Sequence, residues 1–262
     1  ACGACAPAAR YLLEQVRRGR TRAQVDAAYR ARFAADQVHR IDLGDAPSKG
    51  APDAPVLIVE FADFECPACA DKRPLLDKML EEHAGKIRLV FKNFPLSMHP
   101  NAEKAARAGV AANRQGKFWQ LHPLLFENQT ELSMGNVERL AQKAGLELVR
   151  FRQDRDSEAT ADVVARDRKQ GEALNIDSTP SLFINGRKFP PTTEYEQDLE
   201  EWLKLEVELV RSGATKPAPP ATGAAAAPAP SSSAFPTPAA SAAAAPGPAA
   251  SAAPAPSSKP SP

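Results

Sequence analysis

Val56-Leu57-Ile58-Val59-Glu60-Phe61-Ala62-Asp63-Phe64-Glu65-Cys66-Pro67-Ala68-Cys69 is the stretch on which the fold turns. Its first six residues form a short apolar run, the pattern of a buried strand. Cys66 to Glu82 then reads as a helix. Pro67 suits its first turn, where the missing N–H would be unpaired anyway. Pro74 falls inside the same helix, where proline normally introduces a kink. Ile87-Arg88-Leu89-Val90-Phe91 is a second strand. A strand–helix–strand unit of this size favours parallel strands joined by a right-handed crossover.

Downstream, residues from about 101 to 175 read as helical, with breaks near Gly116, Ser133 and Gly145. Ser181-Leu182-Phe183-Ile184 is a third strand. Asn185-Gly186 is a strong hairpin signal, and Lys188-Phe189 starts the return strand. Thr193-Glu194-Tyr195-Glu196 has the form of a capping box opening a last helix that runs to about Arg211. Upstream, residues 1–40 show helical spacing in Tyr11, Leu12, Leu13 and Val16, then in Val25, Ala28, Tyr29 and Phe33. The break at Gly19 to Thr21 suggests a helix–turn–helix with Thr21 as N-cap. Residues 41–54, rich in Gly, Pro, Asp and Ser, read as a linker, and 55–212 as the main domain. Residues 213–262 are almost all Ala, Pro and Ser and hold 13 of the 25 prolines. So much proline forbids a helix or a ladder, and the segment lacks the apolar bulk to offset chain ordering, so it reads as a disordered tail. The expected class is α/β: a thioredoxin fold split by a helical insertion, with a helical hairpin in front.

The 262 residues carry 33 Lys+Arg against 32 Asp+Glu, a formal net charge of +1. Such balance produces no long-range field and argues against nucleic acid as the partner. No apolar run is long enough to span a bilayer. The chain begins at Ala1 rather than Met, as either a processed or a truncated chain would.

The four cysteines form two CxxC pairs, Cys2/Cys5 and Cys66/Cys69. Loops this short remove little chain entropy when closed, so a purely structural role is poorly motivated. Two such pairs can also form a four-thiolate zinc site. Context favours redox chemistry for the second pair. A thiolate is the attacking species in disulfide exchange. At a helix N-terminus it meets unpaired N–H groups and the positive end of the helix dipole. Cys69 lies three residues on, on the same face, so the two sulfurs can close a disulfide. Cys66 is expected to be the exposed nucleophile and Cys69 the buried resolving thiol, working through a mixed disulfide.

The stretch from Val59 to Cys69 resembles the DsbA-like family of thioredoxin-fold oxidoreductases. So do Phe91-Lys92-Asn93-Phe94-Pro95-Leu96 with His99-Pro100, Gly116-Lys117-Phe118-Trp119, and Thr179-Pro180-Ser181-Leu182-Phe183-Ile184-Asn185-Gly186. The likeness covers about residues 47–210. It implies a cis peptide bond at Thr179-Pro180, in a loop that lies against the dithiol and offers backbone groups to a substrate peptide. The residues alone also allow a trans proline at a strand start. The likeness further implies that Thr179 touches and tunes the reactive sulfur. It implies that Glu60 is a buried acid beneath the disulfide, moving a proton to or from Cys69. Burying a carboxylate is costly unless it is paired or neutral, and strand alternation offers the other reading, a solvated face. Pro74 and the active-site Pro67 are taken as structural support. Phe64, Phe118 and Trp119 are expected in the core rather than on a peptide-binding rim, and His99 as a cap or packing residue. Oxidase members of the family often carry histidine between the cysteines. Ala68 stands there, so the Cys66 pKa is expected between the values near 3.5 of DsbA and near 7 of thioredoxin.

Cys2-Gly3-Ala4-Cys5 with the following helices weakly resembles the thiol motif of CcmH-type cytochrome c maturation proteins. A second redox pair relaying electrons to Cys66/Cys69 is one reading, and a local disulfide or spectator thiols the other. The expectation is an extracytoplasmic, periplasmic-type oxidoreductase that acts on cysteine-containing proteins. It would be serviced by a membrane redox partner and would need no metal or cofactor beyond its own disulfide. The alternatives are a peptide-binding chaperone or adaptor on the same scaffold and a reductase dedicated to cytochrome c maturation.

Overall fold

The computed structural model describes residues 3–190 and 192–216. In chain order its elements are α1 (Cys5–Arg17), α2 (Arg22–Phe33), β1 (Ser48–Gly50), β2 (Val56–Ala62), α3 (Pro67–Glu82), β3 (Ile87–Asn93), α4 (Ala102–Arg114), α5 (Phe118–Glu127), α6 (Met134–Lys143), α7 (Leu148–Asp156), α8 (Glu158–Ala173), β4 (Ser181–Ile184), β5 (Arg187–Lys188) and α9 (Tyr195–Arg211). Among the described residues no helix is long and apolar enough to cross a membrane.

The sheet order is β1-β3-β2-β4-β5. The β2 and β3 strands run parallel, with Glu60 opposite Phe91, as the strand–helix–strand pattern predicts. The β4 strand lies antiparallel to β2 and places Leu182 opposite Glu60. Because side chains alternate along a strand, the two faces of β2 build two cores. Val56 and Ile58 meet Leu76 and Met79 of α3 and Leu199, Trp202 and Leu203 of α9. Leu57, Val59 and Phe61 meet Phe94, Ile176 and Phe183. Glu60 shares the parity of Ile58, so its face is the one that α3 and α9 cover, not a solvated one. Asn185 and Gly186 both take positive φ, 48° and 80°, as the hairpin turn requires.

Helices α4 to α8 form the insertion. Ala105, Ala108, Ala111 and Ala112 of α4 are fully buried, and their small side chains let α5, α7 and α8 approach closely. A buried ion pair, Lys92 Nζ to Asp167 at 2.7 Å, fastens α8 to β3. Gly171 lets α8 touch the sheet: a Cβ there would fall 2.5 Å from the Phe94 ring. Gly116 and Gly145 break the helices at positive φ, and Ser133 takes the N-cap position of α6 in an extended conformation without a side-chain cap. A further break falls at Ser157, whose hydroxyl accepts from Thr160 N–H.

Three expectations need correction. The segment 41–54, read as a linker, contains β1, paired antiparallel with β3. Ser48-Lys49-Gly50 has no β-branched or aromatic residue to signal a strand; it pairs because the outer edge of β3 would otherwise be open. The capping box at Thr193 does not form, and Glu194 precedes α9 without a side-chain cap. Thr192 Oγ1 instead accepts from Glu194 N–H and donates to Asp198, while Arg18 and Arg20 hold the Glu194 and Asp198 carboxylates. The tail does not start at 213: Gly213, at φ 70°, closes α9 with its N–H on Val210 O. Residues 217–262, the rest of that segment, lie outside the described residues.

The N-terminal hairpin forms with the expected Thr21–Gln24 capping box and docks on α9. The α1 helix runs antiparallel to α9: Arg10 pairs with Glu208 at 2.6 Å, Gln15 bonds Glu201 at 2.8 Å, and Arg18 reaches Asp198 at 2.7 Å. Arg32 of α2 is buried against Glu206 at 2.5 Å. Glu206 also accepts from Asn185 Nδ2, which links the hairpin to the sheet.

Candidate active site

The site sits where β2 ends and α3 begins. Cys66 occupies the N-cap position of α3, with Pro67 in the first turn. Cys69 N–H and Ala70 N–H both turn back to Cys66 O, at 3.1 and 3.3 Å. Both thiols are free. Cys66 is 8% exposed and Cys69 0%. The expected contrast between an exposed and a buried sulfur is therefore narrower than anticipated, because the Thr179 loop covers Cys66. Thr179-Pro180 is cis, and the Cys66 thiol donates to Thr179 O at 3.3 Å. Pro74 lies within α3 without ending it. Phe64 and Phe118 are core residues; Phe64 stacks on Phe91 at 5.2 Å. Trp119 is half-buried and donates its indole N–H to Ser48 O.

The two sulfurs are driven apart electrostatically. The hydrogen bond from the Cys69 thiol is the largest influence lowering the Cys66 pKa, to about 5, against an opposing push from burial. The Thr179 side chain and the N–H groups of Cys69 and Ala68 lower it further. Thr179 Oγ1 has no other hydrogen-bond partner among the described residues. Its O–H is thus available to the thiolate. Burial raises the Cys69 pKa far above the ordinary thiol range, and its bond to Cys66 and, once ionised, Glu60 add to the rise. Hydrogen bonding from the Asp63 main chain partly offsets this. Glu60 is 3% exposed, and burial followed by Asp77 pushes its pKa up to about 8. At neutral pH the result is a thiolate at Cys66, a thiol at Cys69 and a largely protonated carboxyl at Glu60.

Five residues contribute in ways the sequence did not show. Gln129 reaches in from beyond α5 and donates to Phe64 O at 3.1 Å and Cys66 O at 3.2 Å. The Asp63 carboxylate accepts from His99, which is therefore more than a packing residue. Glu65 holds the N-cap residue of α4, accepting from Asn101 N–H at 2.6 Å. Tyr195, at the start of α9, lies under the Lys72 ammonium at 4.9 Å, and its pKa is raised by burial and then by Glu60 and Cys69. Only Asp63 and Glu65 had a signal in the sequence, two acids flanking Phe64 just before the CxxC. Gln129 and Tyr195 reach the site through folding alone, and His99, quoted within a family-like stretch, gave no sign of its carboxylate partner.

Cys5 is not brought to this site. It is disulfide-bonded and opens α1, whose start lies against Ser212 beyond the far end of α9. Tyr195 marks the other end of α9, and a helix of 17 residues is roughly 25 Å long. Cys5 therefore lies toward the end of α9 away from Tyr195. Cys2 lies outside the described residues. Among the described residues no cluster of three or more His, Cys, Asp or Glu is arranged to hold a metal ion.

Comparison with known proteins agrees with this geometry. The family model described as Thioredoxin matches residues 43–205, more than half of the chain, and the chain belongs to that family. A thioredoxin-like oxidoreductase from Silicibacter pomeroyi DSS-3 superposes with a TM-score of 0.56 at 26% identity, covering 61% of this chain and 91% of that one. BdbD from Bacillus subtilis shares the fold, with a TM-score of 0.59 at 24% identity over 65% of this chain and 97% of that one. A segment of 141 residues, 53% of this chain, is 38% identical to part of the Na(+)/H(+) antiporter NhaA 3 of Salinispora tropica. This chain spans only 22% of that protein's length. Fold and family together define a thioredoxin-fold domain that carries a dithiol at the start of α3.

Proposed function

We propose that the chain exchanges disulfides with cysteine-containing proteins outside the cytoplasm, with Cys66 as nucleophile and Cys69 as resolving thiol. The observation that carries this reading is the asymmetry of the pair: the less buried sulfur is stabilised as a thiolate, and the fully buried one is held as a thiol beside Glu60. In the oxidising direction a substrate thiolate attacks Cys66 Sγ of the Cys66–Cys69 disulfide. The S–S bond breaks, Cys69 leaves with the electron pair, and Glu60, protonated at neutral pH, supplies its proton. A second substrate thiol, as thiolate, then attacks the substrate sulfur of the mixed disulfide. The substrate leaves oxidised and Cys66 leaves as its stabilised thiolate. Reduction of a substrate runs the same steps backwards. Thr179 and Pro180 would present the backbone edge along which the substrate peptide lies. No cofactor beyond the disulfide enters this scheme.

An extracytoplasmic setting is supported by the disulfide at Cys5, since such bonds persist in oxidising compartments. A membrane redox partner would reset the Cys66–Cys69 pair. The test is insulin reduction and substrate trapping. Wild type is expected to turn over, Cys66→Ser to be inactive, and Cys69→Ser to accumulate mixed disulfides through Cys66. Equal activity of wild type and Cys66→Ser would refute the reading and favour a peptide binder with incidental thiols.

A further inference from the structure

We propose that His99 is a positioning residue for the dithiol, acting through the buried carboxylate of Asp63. The proposal rests on the reading of Cys66 and Cys69 as the exchanging pair. The Asp63 side chain is 0% exposed and that of His99 19%. Asp63 Oδ1 accepts from Glu65 N–H at 2.8 Å, and Oδ2 from Leu96 N–H at 2.9 Å. His99 Nδ1 lies 2.7 Å from the same Oδ2. A carboxylate only accepts, so His99 must present Nδ1–H. The turn beneath is closed by His99 N–H on Leu96 O at 3.0 Å. One turn of the 94–100 loop thus grips one carboxylate oxygen from two sides.

The main chain of Asp63 serves the sulfurs. Its carbonyl accepts Cys66 N–H at 3.1 Å, and hydrogen bonding from its main chain works to lower the Cys69 pKa. A single residue therefore joins a surface imidazole to the resolving thiol. Of the three donors to the carboxylate, only His99 is a side chain, so only this one can be removed without altering the backbone. Without it, Oδ2 is held from one side, the residue can turn, and its main-chain hydrogen bonding to Cys69 weakens. That bonding favours the Cys69 thiolate, the form needed for resolution.

The step to be timed is the second half of oxidation by a small disulfide. Reduced protein and oxidised glutathione give a mixed disulfide at Cys66 and one glutathione. Cys69, losing its proton, attacks Cys66 Sγ. The bond to glutathione breaks, and glutathione leaves with the electron pair and takes up a proton. Rapid acid quench and mass spectrometry resolve the mixed disulfide from the oxidised protein. Loss of one charge-assisted hydrogen bond is expected to slow the decay of the mixed disulfide in His99→Ala by roughly five- to tenfold. His99→Asn, whose amide N–H can replace Nδ1–H, should decay within about twofold of wild type. If His99→Ala does not fold, His99→Leu, which keeps bulk but has no donor, replaces it with the same expectation. Wild-type decay in the donor-less variant, even with a lowered melting temperature, would overturn the proposal. Equally slow decay in His99→Asn would overturn it as well. A wild-type protein that forms no mixed disulfide would overturn the dithiol reading itself, and this proposal with it.

Discussion

Glu60→Gln should make the reduced protein more stable and less active at once. The native carboxyl titrates at about 8 instead of the ordinary 4.5, because burial disfavours its charged form. The unfolded chain is ionised above 4.5 while the native state keeps its proton. The native state therefore binds more protons, and stability falls as pH rises from 4.5 to 8. Each pH unit in that window costs about 1.4 kcal/mol, so the penalty at pH 7 is about 3 kcal/mol. That is a large share of the roughly 5–15 kcal/mol that stabilises a typical domain. Glutamine keeps the shape and cannot ionise, which removes the penalty. Urea denaturation of both reduced proteins from pH 4.5 to 8 is the assay. The variant should match wild type near pH 4.5 and exceed it by about 3 kcal/mol at pH 7, while its exchange with substrate slows. Parallel stability profiles across this window would show that Glu60 is not a buried acid of raised pKa. Unchanged exchange would remove it from proton transfer.

Thr179→Val removes the hydroxyl available to the Cys66 thiolate; the thiolate midpoint should rise by roughly one unit, the worth of one hydrogen bond, as read by alkylation rate against pH. Arg32→Ala leaves Glu206 buried without its guanidinium, and denaturation should show a loss of about 3–5 kcal/mol, more than any exposed Arg on α1 would cost. Gly171→Ala drives a Cβ into the Phe94 ring, and a loss of about 1–3 kcal/mol is expected from the same measurement.

The core of the fold was legible because its signals are local. The apolar run of β2, the CPAC turn, the β3 run and Asn185-Gly186 each declare their conformation within a few residues, and their order implies the topology. The β1 strand was not legible, since its pairing comes from the open edge of β3 rather than from Ser48-Lys49-Gly50 itself. The docking of the N-terminal hairpin was equally hidden: Arg18, Arg20 and Arg32 look like solvated charge until α9 supplies their carboxylates. At the site, the spacing of Cys66 and Cys69 at a strand–helix junction carries their chemistry, whereas Glu60 is marked only by the family resemblance, since strand alternation alone also allows it a solvated face. Gln129 and His99 come from the insertion and the loop before it, Tyr195 from the last helix. His99-Pro100 belongs to a stretch that carries the family resemblance, but neither it nor Gln129 shows its role locally, because their contacts cross 36 and 65 residues.

The most direct test of the proposed mechanism is a titration of the reduced protein by thiolate ultraviolet absorbance, with the alkylated residue identified at each pH. A single thiolate with a midpoint at about 5, alkylated at Cys66 while Cys69 stays unmodified, is the expected result. A midpoint near the ordinary thiol value of about 8.5, or alkylation of Cys69 first, would contradict it.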